Sequence, residues 1–135
     1  MEPAGESIPP RREIPHYHGG ETRVIFVISA LVLIVAQSTG AIIPLSPFMA
    51  VLAAVALVIA AGVTNPNHSG IHWANAFLSV MGTLLFGTAA INNYRAGVSF
   101  IESSFIYVEA LALLSLLALY FTTRTIRGIK QRSEL

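Results

Sequence analysis

The segment FMAVLAAVALVIAAGV, residues 48–63, contains no polar side chain. It follows Leu45-Ser46-Pro47, and a serine before a proline is a typical helix start. Backbone amide groups cannot remain unpaired in hydrocarbon, so an apolar segment of this length in lipid has to be helical. The segment therefore predicts a membrane-embedded helix over about residues 45–63.

Three further apolar segments occur in the chain, at residues 24–43, 71–91 and 100–121. A helix of about 20 residues crosses a hydrocarbon core about 30 Å thick, and each segment is close to that length. The connections between the segments are short, which favours antiparallel neighbours. We therefore predict an all-α, polytopic membrane protein with four transmembrane helices in an up-down bundle, at about residues 22–43, 45–63, 71–92 and 99–123.

The composition agrees with a lipid environment. Of the 135 residues, 54% are hydrophobic and 11% are charged, whereas a soluble domain carries about 25% charged residues. The chain has no cysteine, which excludes disulfides, thiol catalysis and iron–sulfur ligation. A net charge of +1 gives no reason to expect a nucleic-acid partner.

Lysine and arginine are divided unevenly between the two sides of the predicted bundle. Because these cations resist translocation, the side that carries them faces the cytoplasm. The opposite side holds Arg95 alone, and the side with the termini and the second loop holds Arg11, Arg12, Arg23, Arg124, Arg127, Lys130 and Arg132. We expect a multi-pass protein of the cell membrane with both termini in the cytoplasm.

The two ends of the chain differ from its middle. Residues 1–21 contain four prolines and are expected to form an irregular cytoplasmic arm. Residues 124–135 form a basic tail that continues the fourth helix. Its cations are expected to attract anionic lipid, or alternatively to dock a protein; they are Arg124, Arg127, Lys130 and Arg132.

Four histidines form two pairs on the predicted cytoplasmic side, His16 with His18 and His68 with His72. Imidazoles at i and i+4 on a helix can share one metal ion, and a nearby His-x-His could complete a set of four nitrogen ligands. Neither pair has a neighbouring cysteine or carboxylate of a known metal motif. We therefore favour histidines that bond to lipid headgroups at the interface, and predict no cofactor. Motifs for nucleophilic, nucleotide-dependent or metalloprotease chemistry are missing, so no enzyme is predicted.

Two glutamates lie seven residues apart in the last apolar segment, Glu102 and Glu109. Ser99 and Glu102 fit the S-x-x-E pattern of a capping box at a helix start, and Arg95 is expected nearby as an ionic partner for Glu102. This local role accounts for Glu102 without any further function.

Glu109 falls about 15 Å along a helix that begins at Ser99, which is half of the hydrocarbon core. Acids at this depth are rare, are expected to be uncharged, and suggest function. Thr83 of the third helix is predicted at a similar depth. A hydrogen bond between Glu109 and Thr83 or a backbone carbonyl, holding two helices together, is the alternative to a proton-carrying role.

Four short helices with one acid at the midplane are similar to the plan of the small multidrug-resistance transporters, which exchange protons for organic cations. In that family the acid lies in the first helix, whereas Glu109 lies in the fourth. Two functional hypotheses follow. The first is a non-enzymatic accessory or structural subunit, or a homo-oligomer, that acts through helix packing. The second is a proton-coupled carrier or pore for a small solute or cation, built around Glu109.

Overall fold

The structure, a computed structural model, describes residues 17–65 and 69–134. Within these residues the regular structure is entirely α-helical, without a strand. The helices are α1 (Gly19–Ser38), α2 (Pro47–Val63), α3 (Ser69–Arg95) and α4 (Ser103–Glu134). For the described part of the chain, the prediction of an all-α protein with four helices is confirmed.

Three helices are long and apolar enough to cross a membrane, namely α1, α3 and α4. The apolar α2 has 17 residues, a length of about 26 Å at 1.5 Å per residue. It begins as the sequence predicts, because Ser46 Oγ accepts a hydrogen bond from Met49 N at 3.3 Å and Pro47 takes the first helical position. The chain thus has the character of a membrane protein, with three candidate spans and one shorter apolar helix.

The first helix ends at Ser38, five residues before the predicted boundary at residue 43. Gly40 follows it with φ of 76°, a left-handed conformation that favours glycine. The amide of Ala41 then donates to Ala36 O at 3.1 Å, which is the long bond of a Schellman motif. Residues 41–43 continue the apolar run but not the helix, so hydropathy alone placed this boundary too late.

The third helix ends in the same way, three residues later than predicted. It continues to Arg95, and Gly97 follows with φ of 78°. The amide of Val98 donates to Asn93 O at 3.0 Å. The two Schellman motifs end α1 and α3, so each is followed by a sharp change in chain direction.

The helices are held together mainly through α4. It packs along α3 and along α1, and α1 also packs along α2, whereas α2 and α3 meet only sparsely. At one end of the molecule, His18 N donates to Thr125 Oγ1 at 2.7 Å. At the other, Ile42 N donates to Ser104 Oγ at 2.9 Å. We call these the terminal end and the opposite end; between them α4 covers about 32 Å, close to the thickness of a hydrocarbon core.

The distribution of side-chain sizes is typical of a protein in lipid. Large apolar side chains face outward along every helix, including Leu31, Val55, Leu84 and Leu113. The buried apolar positions include many small residues, which let helices approach closely; these are Ala30, Ala36, Ala50, Ala54, Ala60, Ala61, Ala112 and Ala118. An apolar outer surface of this extent is a site of contact with lipid or protein.

Candidate functional site

Glu109 lies on the outer surface of α4. Glu109 is exposed, whereas the nearby Val108 and Leu111 are each only 1% exposed and belong to the core. Among the described residues, no hydrogen bond or ion pair reaches the Glu109 side chain. The carboxyl group is therefore presented to whatever surrounds the protein and not to its interior.

The predicted hydrogen bond between Glu109 and Thr83 is not formed. Thr83 Oγ1 instead donates to Ser79 O in its own helix at 2.8 Å. A hydroxyl that bonds the preceding helical turn in this way needs no partner from another helix. The structure therefore does not bring these two candidate residues together.

The position of Glu109 along the bundle also differs from the predicted midpoint, because α4 begins at Ser103 and not at residue 99. Gly82 of α3 lies directly against Ser115 of α4. The two helices run in opposite directions, so Glu109 lies about 9 Å beyond that contact towards the opposite end, near the level of Thr88. Relative to the midpoint between the two ends of the molecule, Glu109 is displaced by about 8 Å.

An outward-facing row of side chains continues from Glu109 along α4. Its members are exposed and follow one another at alternating spacings of three and four residues. Side chains at these spacings share one face of a helix. We call this row the α4 stripe; it consists of Ile106, Glu109, Leu113, Leu116, Tyr120, Thr123 and Arg127.

The predicted capping box at Ser99 and Glu102 is not formed, because the helix begins four residues after Ser99. Glu102 N donates to Ser99 O at 3.0 Å in a turn, and Ser99 Oγ accepts from Ile101 N at 3.4 Å. Glu102 and Arg95 are both exposed, and no ion pair links them within the described chain. Glu102 instead precedes the helix, where its carbonyl accepts the amide of Ile106 at 3.0 Å.

A buried polar cluster, which the sequence analysis did not identify, lies near the terminal end between α2 and α3. Asn75 Nδ2 donates to Thr64 Oγ1 at 2.8 Å, and that hydroxyl donates to Ala60 O at 2.6 Å. His72 Nε2 lies 3.0 Å from Asn65 O, a carbonyl that can only accept, so the ring donates. Asn75, His72 and Thr64 are each no more than 2% exposed. These hydrogen bonds connect α3 to the end of α2, two helices that otherwise meet sparsely.

Two buried oxygens near this end have no hydrogen-bond partner within the described residues, Asn75 Oδ1 and Thr122 Oγ1. Most buried polar groups in proteins are paired. The register set by Gly82 and Ser115 places these two oxygens at the same level on α3 and α4.

The residues just before α1 cover the polar cluster. The Tyr17 ring meets the His72 ring edge-on with 5.5 Å between centroids, and its hydroxyl lies against Gly19. Burial raises the pKa of the Tyr17 phenol above its ordinary value, and the charge of Arg23 offsets part of that rise. The beginning of the described chain is thus fixed to the start of α3.

The histidine pairs fall partly outside the described residues, because His16 and His68 are not among them. His18 Nδ1 lies 3.2 Å from Glu21 Oε2, and its ring packs on Phe121 with 5.1 Å between centroids. No group of three or more metal-ligating side chains occurs in the described ranges. The contact between Tyr17 and His72 nevertheless brings His18 and His72, one histidine of each pair, to the same end of the molecule.

The basic tail is a continuous extension of α4, which runs to Glu134. Arg124 Nη1 donates to the Tyr120 hydroxyl at 3.1 Å, and Lys130 Nζ lies 5.6 Å from the centre of the Trp73 ring. Arg127 is exposed, and the side chain of Arg132 lies outside the described part. Two of the four predicted docking cations therefore already contact aromatic rings of this chain.

An apolar cavity of about 180 Å³ lies between the helices and receives side chains from all four. Its polar lining consists of Ser29, Ser79 and Ser115, and no ionisable side chain lines it. A cavity of about 150 Å³ with apolar walls stays dry in a well-studied case. Because its lining has no ionisable side chain, this cavity offers no group that could carry a proton or cation through the interior.

Comparison with known proteins assigns no function to the chain. No family model, curated protein or solved structure matches it. The similarity to the small multidrug-resistance transporters consists of four helices and one acid, and that acid faces outward in this chain.

Proposed function

We propose that this protein is a small, non-enzymatic, multi-pass membrane protein that acts through lateral packing of α4 against another membrane-embedded chain. It is an accessory or structural subunit of a membrane assembly, or a homo-oligomer. The observation that carries this proposal is the outward-facing carboxyl of Glu109, which has no partner in the described part of its own chain.

Glu109 carries a polar group into a segment that is otherwise suited to hydrocarbon. A carboxyl group without a hydrogen-bond partner is unfavourable there, and acids in such segments usually face other protein or water. The α4 stripe carries Glu109 between Ile106 and Leu113, both about half exposed. A second helix packed on the stripe would bury these apolar side chains and supply a hydrogen-bond partner to the carboxyl.

The proposed arrangement is an up-down bundle of four spans in the cell membrane, with both termini in the cytoplasm. The contact between His18 and Thr125 supports it, because the first and last helices then have their terminal ends on the same side. The uneven distribution of Lys and Arg supports the cytoplasmic placement of that side. The short α2 crosses if the bilayer thins locally or its flanking residues adjust.

The competing hypothesis, a proton-coupled carrier or pore, has a different requirement. Glu109 does not line the interior cavity, so a carrier would have to place this acid in a space between chains. Both hypotheses therefore place a second chain beside α4, and they differ in whether Glu109 must exchange a proton.

Cysteine cross-linking tests the proposal, because the chain has no native cysteine. We compare Leu113→Cys on the α4 stripe with Leu84→Cys on α3, whose exposures are 56% and 61%. Oxidation in native membranes should link Leu113→Cys into a discrete larger species and leave Leu84→Cys monomeric. If the partner is a different protein, a bifunctional reagent that joins the introduced thiol to an amine of the partner is used in place of oxidation. Equal behaviour of the two variants would contradict the proposal.

A further inference from the structure

A long groove runs along the outer surface between α1 and α2. It consists of two adjoining depressions that share Val27 and Val58, so they form one continuous channel. It begins between Gly20 and Gly62 near the terminal end and reaches Ile34. We call it the α1–α2 groove. It lies on different helices from the α4 stripe.

The groove is apolar except at its terminal end, where Arg23 is its one charged lining residue. Arg23 is exposed and forms no ion pair within the described residues. The nearest carboxylate in sequence, Glu21, has its Oε2 3.2 Å from His18 Nδ1. The groove therefore combines a long apolar floor with one positive charge at its mouth.

The dimensions of the groove match a lipid chain. From Arg23, which would hold the headgroup, to Ile34 the groove extends about 17 Å at 1.5 Å per residue, close to the depth of one leaflet of hydrocarbon, about 15 Å. Gly20 and Gly62 have no side chain at the mouth, and a Cβ added to either would meet no atom within 4 Å. The two glycines leave room beside Arg23 for a headgroup.

We propose that the α1–α2 groove binds one anionic phospholipid, with an acyl chain along Val27 and Val58 and the phosphate on the guanidinium of Arg23. This site rests on the membrane placement in the proposed function, but not on the packing of α4. Guanidinium groups bind phosphate through paired hydrogen bonds, and their long side chains reach the headgroup level from within the helix. The groove is separate from the basic tail, whose cations lie at the end of α4.

Lipid retention by the full chain tests the site. Protein purified in a neutral detergent is titrated with dioleoyl phosphatidylglycerol or dioleoyl phosphatidylcholine, and bound lipid is counted by native mass spectrometry. We expect one tightly retained phosphatidylglycerol per chain and a weaker affinity for phosphatidylcholine. Arg23→Gln should weaken phosphatidylglycerol binding about fivefold, the effect of one cation near a headgroup. Arg95→Gln, which changes an exposed cation at the opposite end, should leave binding unchanged.

A second variant tests the groove itself. Gly62→Leu places a side chain in open space at the mouth, so it should remove binding of both lipids without disturbing the helices, as circular dichroism would verify. The inference is overturned if Gly62→Leu retains lipid, if the two lipids bind equally, or if Arg127→Gln and not Arg23→Gln lowers retention. It is also overturned if Gly62→Leu changes the oligomeric state, since a second copy would then occupy the groove. The lipid-binding outcomes do not alter the cross-linking expected at the α4 stripe, so the two proposals can fail separately.

Discussion

The most informative single residue is Glu109, because its direction and not its depth determines what it can do. An acid inside a bundle can bond to groups of its own chain. An acid on the outer face of α4 can contact only lipid, water or another chain. The buried polar residues of the described chain lie elsewhere, and Thr64, His72 and Asn75 are among them.

Two substitutions of Glu109 separate packing from proton transfer. Glu109→Gln keeps the shape and hydrogen-bonding capacity, so an α4 interface should survive, whereas Glu109→Leu should weaken it by about 1 kcal/mol. Neither change should lower the stability of the isolated chain, because the side chain has no partner in its described part. Cross-linking yield at Leu113→Cys measures the association. If Gln preserves cross-linking but abolishes pH-driven uptake in proteoliposomes, the carrier hypothesis is favoured.

The hydrogen bond between Asn75 and Thr64 permits a quantitative test of the polar cluster. We expect Asn75→Leu and Thr64→Val each to change the free energy of unfolding by about 1 kcal/mol or less, with a coupling of about 0.6 kcal/mol in the double variant. Unfolding in a mixed detergent series measures these values. Ser79→Ala is the control, because its hydroxyl bonds only to Asn75 O in the same helix. Additive effects of the two substitutions would show that the 2.8 Å contact contributes nothing.

At the scale of the element, the four helices and the bounds of α2 were predictable, whereas the ends of α1 and α3 and the start of α4 were not. Apolar segments of about 20 residues predicted four helices correctly because hydrocarbon permits little else. The ends of α1 and α3 depend on Gly40 and Gly97, whose left-handed conformations stop a helix without any change in hydropathy. The start of α4 was predicted four residues too early, because Ser99 fits the sequence pattern of a helix cap but lies in a turn before the helix.

The polar cluster could have been found from periodicity within α3. His72, Asn75, Ser79, Gly82 and Phe86 follow at spacings of three and four, and so share one face. Four of the five, all except Phe86, are polar or small residues in a largely apolar segment. The direction of Glu109 had no comparable signal, because apolar residues flank it on every side of α4.

The contact between α3 and α4 depends on a missing side chain at Gly82. A Cβ there would meet Ser115 Oγ and lie 3.2 Å from Ser115 Cβ. We expect Gly82→Ala to lower the free energy of unfolding by about 1 kcal/mol through overpacking. Gly87→Ala, where a Cβ meets nothing within 4 Å, should be neutral or stabilising. Recovery by Ser115→Gly would assign the loss to this contact, and equal effects at the two glycines would contradict it.

At the scale of the whole molecule, the orientation in the membrane is predicted from charge and is testable with single thiols. We expect Arg95→Cys to react with an impermeant maleimide added outside intact cells, because the turn after α3 is predicted to face outward. Gln131→Cys should react only after lysis. The reverse labelling pattern would place the termini outside, and labelling of both positions in intact cells would indicate mixed orientations.

The bond between His18 and Thr125 joins residues 107 positions apart, which has a consequence for biosynthesis. Helix α1 acquires this contact only after synthesis has reached Thr125. Until then α1 and α2 can pair as a hairpin, but His18 at the start of α1 lacks its contacts with Phe121 and Thr125 near the end of α4. A nascent chain that stops before Thr125 would keep this end unassembled, and membrane quality control could distinguish it from the finished protein.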